Sequence, residues 1–152
     1  MSISPGSIVP TDTLVSPLIT QLTVVAQQIA GIGMCYPEVP DAPPEDNSVL
    51  FAPKAVRVND DQTNAKLDLH LEIDLIHLFR RKRLQDNLFS IYAVLPAWLT
   101  VLTAWSNQTL GGLAQSVNVT QMEIAPYDHG QQRFLALVVT LDIRTLQNIN
   151  MQ

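Results

Sequence analysis

His70, Glu72 and Asp74 alternate with Leu67, Leu69, Leu71, Ile73 and Leu75, and imidazole beside carboxylates is a metal-ligand set. Strict period two puts Asp68, His70, Glu72 and Asp74 on one face of a strand whose other face meets a core. Neighbours on that face stand nearly 7 Å apart, from a rise of roughly 3.3 Å per residue, so three in a row splay instead of converging on one ion. The competing reading is a polar sheet face that pairs with Arg or Lys across strands, and this is the one expected. Cys35 is the single cysteine, with no base near it in sequence, and it reads as a packed thiol. Being alone it forms no internal disulfide, which points to a reducing intracellular origin. His129 beside Asp128 has the form of an acid–base pair, yet Pro126 to Gly130 is ordinary turn composition. Phosphate-binding Gly-rich loops, nucleophile elbows and paired-cysteine metal signatures are missing from the sequence. The expectation is no catalytic residue, no metal site and no cofactor.

Arg80, Arg81, Lys82 and Arg83 hold four of the nine basic residues. Just before a helix, such charge opposes the sign that a helix N-terminus favours. It reads as a solvated run, a nucleic-acid contact, or half of an ion-pair patch with the acidic stretch of Glu38, Asp41, Glu45 and Asp46. The third is preferred for a ring-forming subunit. A net charge of −5 argues against nucleic-acid binding through a broad basic face.

Charged residues make up 15% of the chain, where soluble proteins carry about 25%. The deficit is local. Asp, Glu, Lys and Arg are absent from Thr13 to Pro37 and again from Asn87 to Met122. Interface cores are depleted of charge in the same way, so these segments suggest more hidden surface than one core needs. The 152 residues, 47% hydrophobic, fit a single domain over 1–152. No secretory signal is visible at Met1 to Pro5.

Residues 1–12 read as an extended arm. Ser16-Pro17 marks a helix start, with Thr13 competing, and Leu18, Leu22, Val25 and Ile29 give it an apolar face. Residues 36–47, rich in proline and acid, predict an extended, solvated connection. Ser48 to Val58 predicts a strand, Asn59 to Asn64 a polar hairpin tip, and Leu67 to Leu75 the second strand. Arg83 to Trp105 predicts a second helix, kinked or split by Pro96. Gln115 to Ile124 and Arg133 to Arg144 predict two more strands around a turn at Pro126 to Gly130. The fold class expected is α+β, in the order helix, hairpin, helix, hairpin, with a mostly antiparallel sheet packed by two helices. Leu88 to Trp105 is uncharged and long enough to raise a membrane reading, but Ser90, Pro96, Thr100 and Thr103 interrupt it, and no membrane role is expected.

The order of elements, the proline-rich connection after the first helix and the uncharged second helix resemble the tail terminator, or tail completion, proteins of tailed bacteriophages. The likeness runs from the helix at Leu14 to Ile29 through the closing strand at Phe134 to Arg144. It implies a structural virion protein of the tail and neck, assembled in the host cytoplasm as a hexameric ring. Its implied partners are copies of itself, the tail tube protein and a neck or head-completion protein, with DNA only as passing cargo. A channel that lets DNA slide avoids basic adhesion, so Asp60, Asp61, Glu72 and Asp74 are the expected channel-facing acids. The tip formed by Asn59, Asp60, Asp61, Gln62, Thr63 and Asn64 is the expected docking element. Other neck or tail-tube ring proteins, a small-ligand-binding or catalytic domain with a pocket between second helix and sheet, and a membrane-associated protein using Leu88 to Trp105 are the alternatives.

Overall fold

The computed structural model describes residues 9–63 and 66–148, with side chains described for all of these except 60–63, 66 and 148. The first helix, α1 (Val15–Ala26), starts where the Asp12 carboxylate accepts from the N–H groups of Val15 (3.0 Å) and Ser16 (3.1 Å). Those two bonds satisfy donors that a helix start leaves open. The Ser16 hydroxyl also donates to Asp12, and this bond above all holds the Asp12 carboxyl below its usual range. Ser16 therefore lies inside the first turn, and Asp12, not Ser16, does the capping. Leu18, Ile19, Leu22, Val25 and Ala26 form the buried stripe, and Gly31 at φ +90° turns the chain away.

Strands β1 (Cys35–Tyr36), β2 (Ser48–Thr63), β3 (Lys66–Arg80), β4 (Ser116–His129) and β5 (Gln132–Asn148) make one sheet in the order β1-β2-β3-β5-β4. Only β1 runs parallel to its neighbour. Strand β2 continues past Val58 to Thr63, so the polar segment expected as a tip belongs mostly to a strand. The backbone of Asn64, and the side chains of Asp60, Asp61, Gln62 and Thr63, lie outside the described residues. Pro126 stands within β4, an edge strand that tolerates proline, and the turn narrows to Gly130 and Gln131.

The second helix, α2 (Leu84–Thr103), runs unbroken through Pro96. Pro96 has no N–H for the Tyr92 carbonyl, but it stands on the exposed side, where water can serve that carbonyl. Both helices pack on one sheet face, against Leu69, Leu71, Ile73 and Leu75 of β3 and Leu137, Val139, Leu141 and Ile143 of β5. The opposite face divides along β3. Toward the β3 start it is polar, at Asp68, His70, Glu72 and Asp74; toward the β3 end Ile76 and Leu78 join Leu50, Phe134 and Ala136 in a second apolar cluster. The proline-rich connection lies against the sheet here and is not wholly solvated. Pro44 is buried, Tyr36 packs on the cluster, and His129 Nε2 donates to the Pro40 carbonyl at 2.7 Å. Among the described residues, no helix is long and apolar enough to cross a membrane.

Candidate functional site

Three surfaces hold the polar and exposed apolar groups that could carry function. The first is the open sheet face. Cross-strand register sets Glu72 beside Asp142 and Ala55, and His70 beside Arg144 and Arg57. Bulging of β2 between Pro53 and Ala55 leaves Lys54 within reach of two acids, Glu72 at 4.0 Å and Asp74 at 3.9 Å. Arg57 meets Asp142 at 3.6 Å, and His70 Nδ1 lies 3.1 Å from the same carboxylate. Arg144 Nε donates to Asp68 at 3.0 Å, and that bond foremost pulls the Asp68 carboxyl below its usual range. Thr140 donates to Asp74 at 3.0 Å. Four carboxylates thus face three cations and one imidazole, each cation beside an acid. Such pairs steer and orient more than they stabilise, because most are partly exposed. His70, Glu72 and Asp74 are spread along β3, and no group of three His, Cys, Asp or Glu is placed to hold a metal among the described residues.

The second surface is the junction of β3 and α2. Asp46 accepts from the Arg80 N–H at 2.7 Å and lies 3.7 Å from Lys82 Nζ. The connection and the basic run therefore meet within one chain at this point, while Glu38, Asp41, Glu45, Arg80, Arg81, Lys82 and Arg83 are all exposed. Buried Asn87 ties the turn together: its Oδ1 accepts from the Lys82 N–H (2.9 Å) and its Nδ2 donates to the Arg80 carbonyl (3.0 Å). Asn87→Ala strands both backbone groups. A stability loss of about 2 kcal/mol is expected, read from the urea midpoint.

The third surface is the outside of α2, uncharged beyond Asp86, and a groove of about 550 Å³ between the inner flank of α2 and the end of α1, walled by Ile29, Ile32, Val94, Ala97 and Val101. His77 lies at its base. Trp98 Nε1–H donates to His77 Nδ1 at 3.0 Å, so His77 Nε2 carries the proton and donates to Asn47 Oδ1 at 2.5 Å. Asn47 in turn donates to the Gly31 carbonyl, and Phe79 stacks on the imidazole at 4.4 Å. Burial pushes the His77 pKa down to about 4, against the opposing pull of the Asp46 charge. With both nitrogens engaged, His77 braces the groove and has no lone pair free for base chemistry. Burial also pushes the Cys35 thiol up, away from nucleophilic character.

Sequence reasoning singles out the polar strand face and the basic run but passes over His77. Its signal is the parity: an odd-numbered β3 position, on the apolar side, holding a polar ring. On the outside of α2, Phe89 is 65% exposed, Tyr92 57% and Leu99 39%, and Trp105 just beyond is 92% exposed. No protein-family model matches the chain, and comparison with curated proteins gives no match.

Proposed function

We propose that this chain is a structural subunit that assembles head to tail into a ring, and that the ring is a bacteriophage tail terminator. The observation that carries the reading is a sheet with two different outer strands. Beyond its short pairing with β1, β2 has no neighbour on one side, and β4 has none on its outer side, among the described residues. Unlike edges on opposite sides of one sheet suit a heterologous contact, and a heterologous contact that closes makes a ring. Pro53 with the β2 bulge, and Pro126 with the bulge between Val119 and Gln121, restrict clean pairing to about Ala55 to Val58 and Gln121 to Ala125.

The open sheet face supports the channel in this reading. Lys54, Arg57 and Arg144 are each held by carboxylates, which leaves phosphates no continuous row of unpaired cations among the described side chains of this face and lets DNA slide. The ring caps the tail tube, stops its growth and presents a face to the neck.

Electron microscopy of the chain mixed with tail tubes tests the reading, with rings at tube ends expected. Val56 and Val58 are exposed on the β2 edge. Val56→Lys with Val58→Lys places charge there and is expected to abolish rings while leaving the circular dichroism spectrum unchanged. Rings that persist in this variant remove the edge contact from the proposal.

A further inference from the structure

We infer that the outer face of α2 is a docking seam for the same helix of a second copy, packed antiparallel about a two-fold axis. This inference rests on the reading that the chain self-assembles, but not on the ring. The seam consists of Gln85, Phe89, Tyr92, Pro96, Leu99 and Thr103, all exposed. Their spacing is four, three, four, three, four, the 3.5-residue repeat of a surface that another helix covers. The core uses a different set: Asn87, Ile91, Trp98 and Leu102. One helix thus carries two stripes, and among the described residues only one has an occupant within the chain.

The identity of the occupant follows from the seam itself. Read in reverse, Thr103, Leu99, Pro96, Tyr92, Phe89 and Gln85 meet the forward order in three kinds of layer. Gln85 faces Thr103, Phe89 faces Leu99, and Tyr92 faces Pro96, so polar layers close both ends and apolar layers fill the middle. Ala93 and Thr100 flank the seam with small side chains that allow close approach. The other helix, α1, is shorter, and its exposed side mixes Ser16 and Thr20 with Val24, so it offers one large apolar side chain where α2 offers several.

Charge sets the direction. The 20 residues of α2 span about 30 Å, with Arg80 to Arg83 before the N-terminus, the single acid Asp86 in the first turn and no basic residue in the last turn. Parallel packing brings eight cations together. Antiparallel packing separates the clusters by the helix length and sets each beside the carbonyl end of the other helix, where positive charge is favoured. Arg83 of the partner subunit then comes near Trp105, a ring suited to a cation–π contact. The two-fold contact uses a surface separate from the sheet edges, so dimers and rings are compatible.

The test uses cysteine crosslinking in a Cys35→Ser background. Copies carrying Phe89→Cys are mixed with copies carrying Leu99→Cys and oxidised, with size followed by light scattering. A crosslink is expected in the mixture and in neither variant alone, and Phe89→Glu is expected to raise the dimer dissociation constant on the order of thirtyfold. A crosslink between two Phe89→Cys copies means parallel packing and overturns the inference. An oligomer with no mixed crosslink overturns it and leaves assembly standing. A monomer at every concentration and on contact with tail tubes overturns both. Unchanged thermal unfolding of the variants confirms that these exposed positions report contact and not folding.

Discussion

Trp98→Ala is expected to lower the unfolding free energy by about 3–5 kcal/mol, the largest effect of any single truncation considered. The indole is fully buried between α2 and the sheet, and it is the only large aromatic on the inner face of α2. Its removal opens a cavity in a packed interior, and it also strands His77 Nδ1, which now accepts from the indole N–H. Trp98→Phe separates the two effects. It keeps most of the volume and loses the donor, so a loss of about 1–2 kcal/mol is expected. Urea titrations followed by circular dichroism measure both. Fluorescence serves less well, because exposed Trp105 is then the only emitting tryptophan. A Trp98→Ala midpoint equal to the parent's would mean that α2 is not anchored as described.

The second large effect is a loss of stability on acidification, traced to His77. Its pKa is about 4 in the folded chain against 6.5 for an ordinary histidine. Between those values the unfolded chain holds a proton that the native chain does not. Stability contributed by the neutral ring is therefore fully present above about pH 6.5 and is lost as pH falls toward 4. The size follows from the linkage of proton binding to folding, about 3 kcal/mol over the whole window. His77→Gln removes the titration and is expected to flatten this acid limb, even though its plateau is lower. An equal slope in the variant and the parent would assign the limb to other groups.

Alternation made the middle of the sheet legible, because β3 and β5 turn an apolar face to the helices and, over Asp68 to Asp74 and Thr140 to Arg144, a polar face the other way. Leu69 to Leu75 and Leu135 to Ile143 read as core residues from spacing alone. Strand ends were less legible: β2 and β4 run on through Asn59 and Pro126, because edge pairing overrides local turn propensity. The polar face could be read as one that meets cations, but not which cations, since Lys54 reaches Glu72 through a bulge that composition does not announce. His77 joins Trp98 and Asn47 across 21 and 30 residues of sequence, and such a bond leaves no periodic trace. Of the two stripes of α2, helical spacing of Leu84, Leu88, Ile91, Leu95, Trp98 and Leu102 marks the inner one, and the structure buries Ile91, Trp98 and Leu102 of it while leaving Leu84 exposed. The outer stripe was hidden, because apolar residues occur nearly all round the helix.

The sheet order also fixes when the molecule can fold as it is made. Strand β3 sits between β2 and β5, and β5 follows every other described element in the chain. A nascent chain that has not yet extended through β5 can close the β2–β3 hairpin, but Leu75 still waits for Val139 and Leu71 for Ile143. What will be the middle of the sheet is, until that moment, an open margin with an apolar row beside it. Nascent chains in this condition depend on shielding by the ribosome and its chaperones. Translation slowed within β5 prolongs the hazard, whereas a pause between the two hairpins gives α2 time to cover the exposed row.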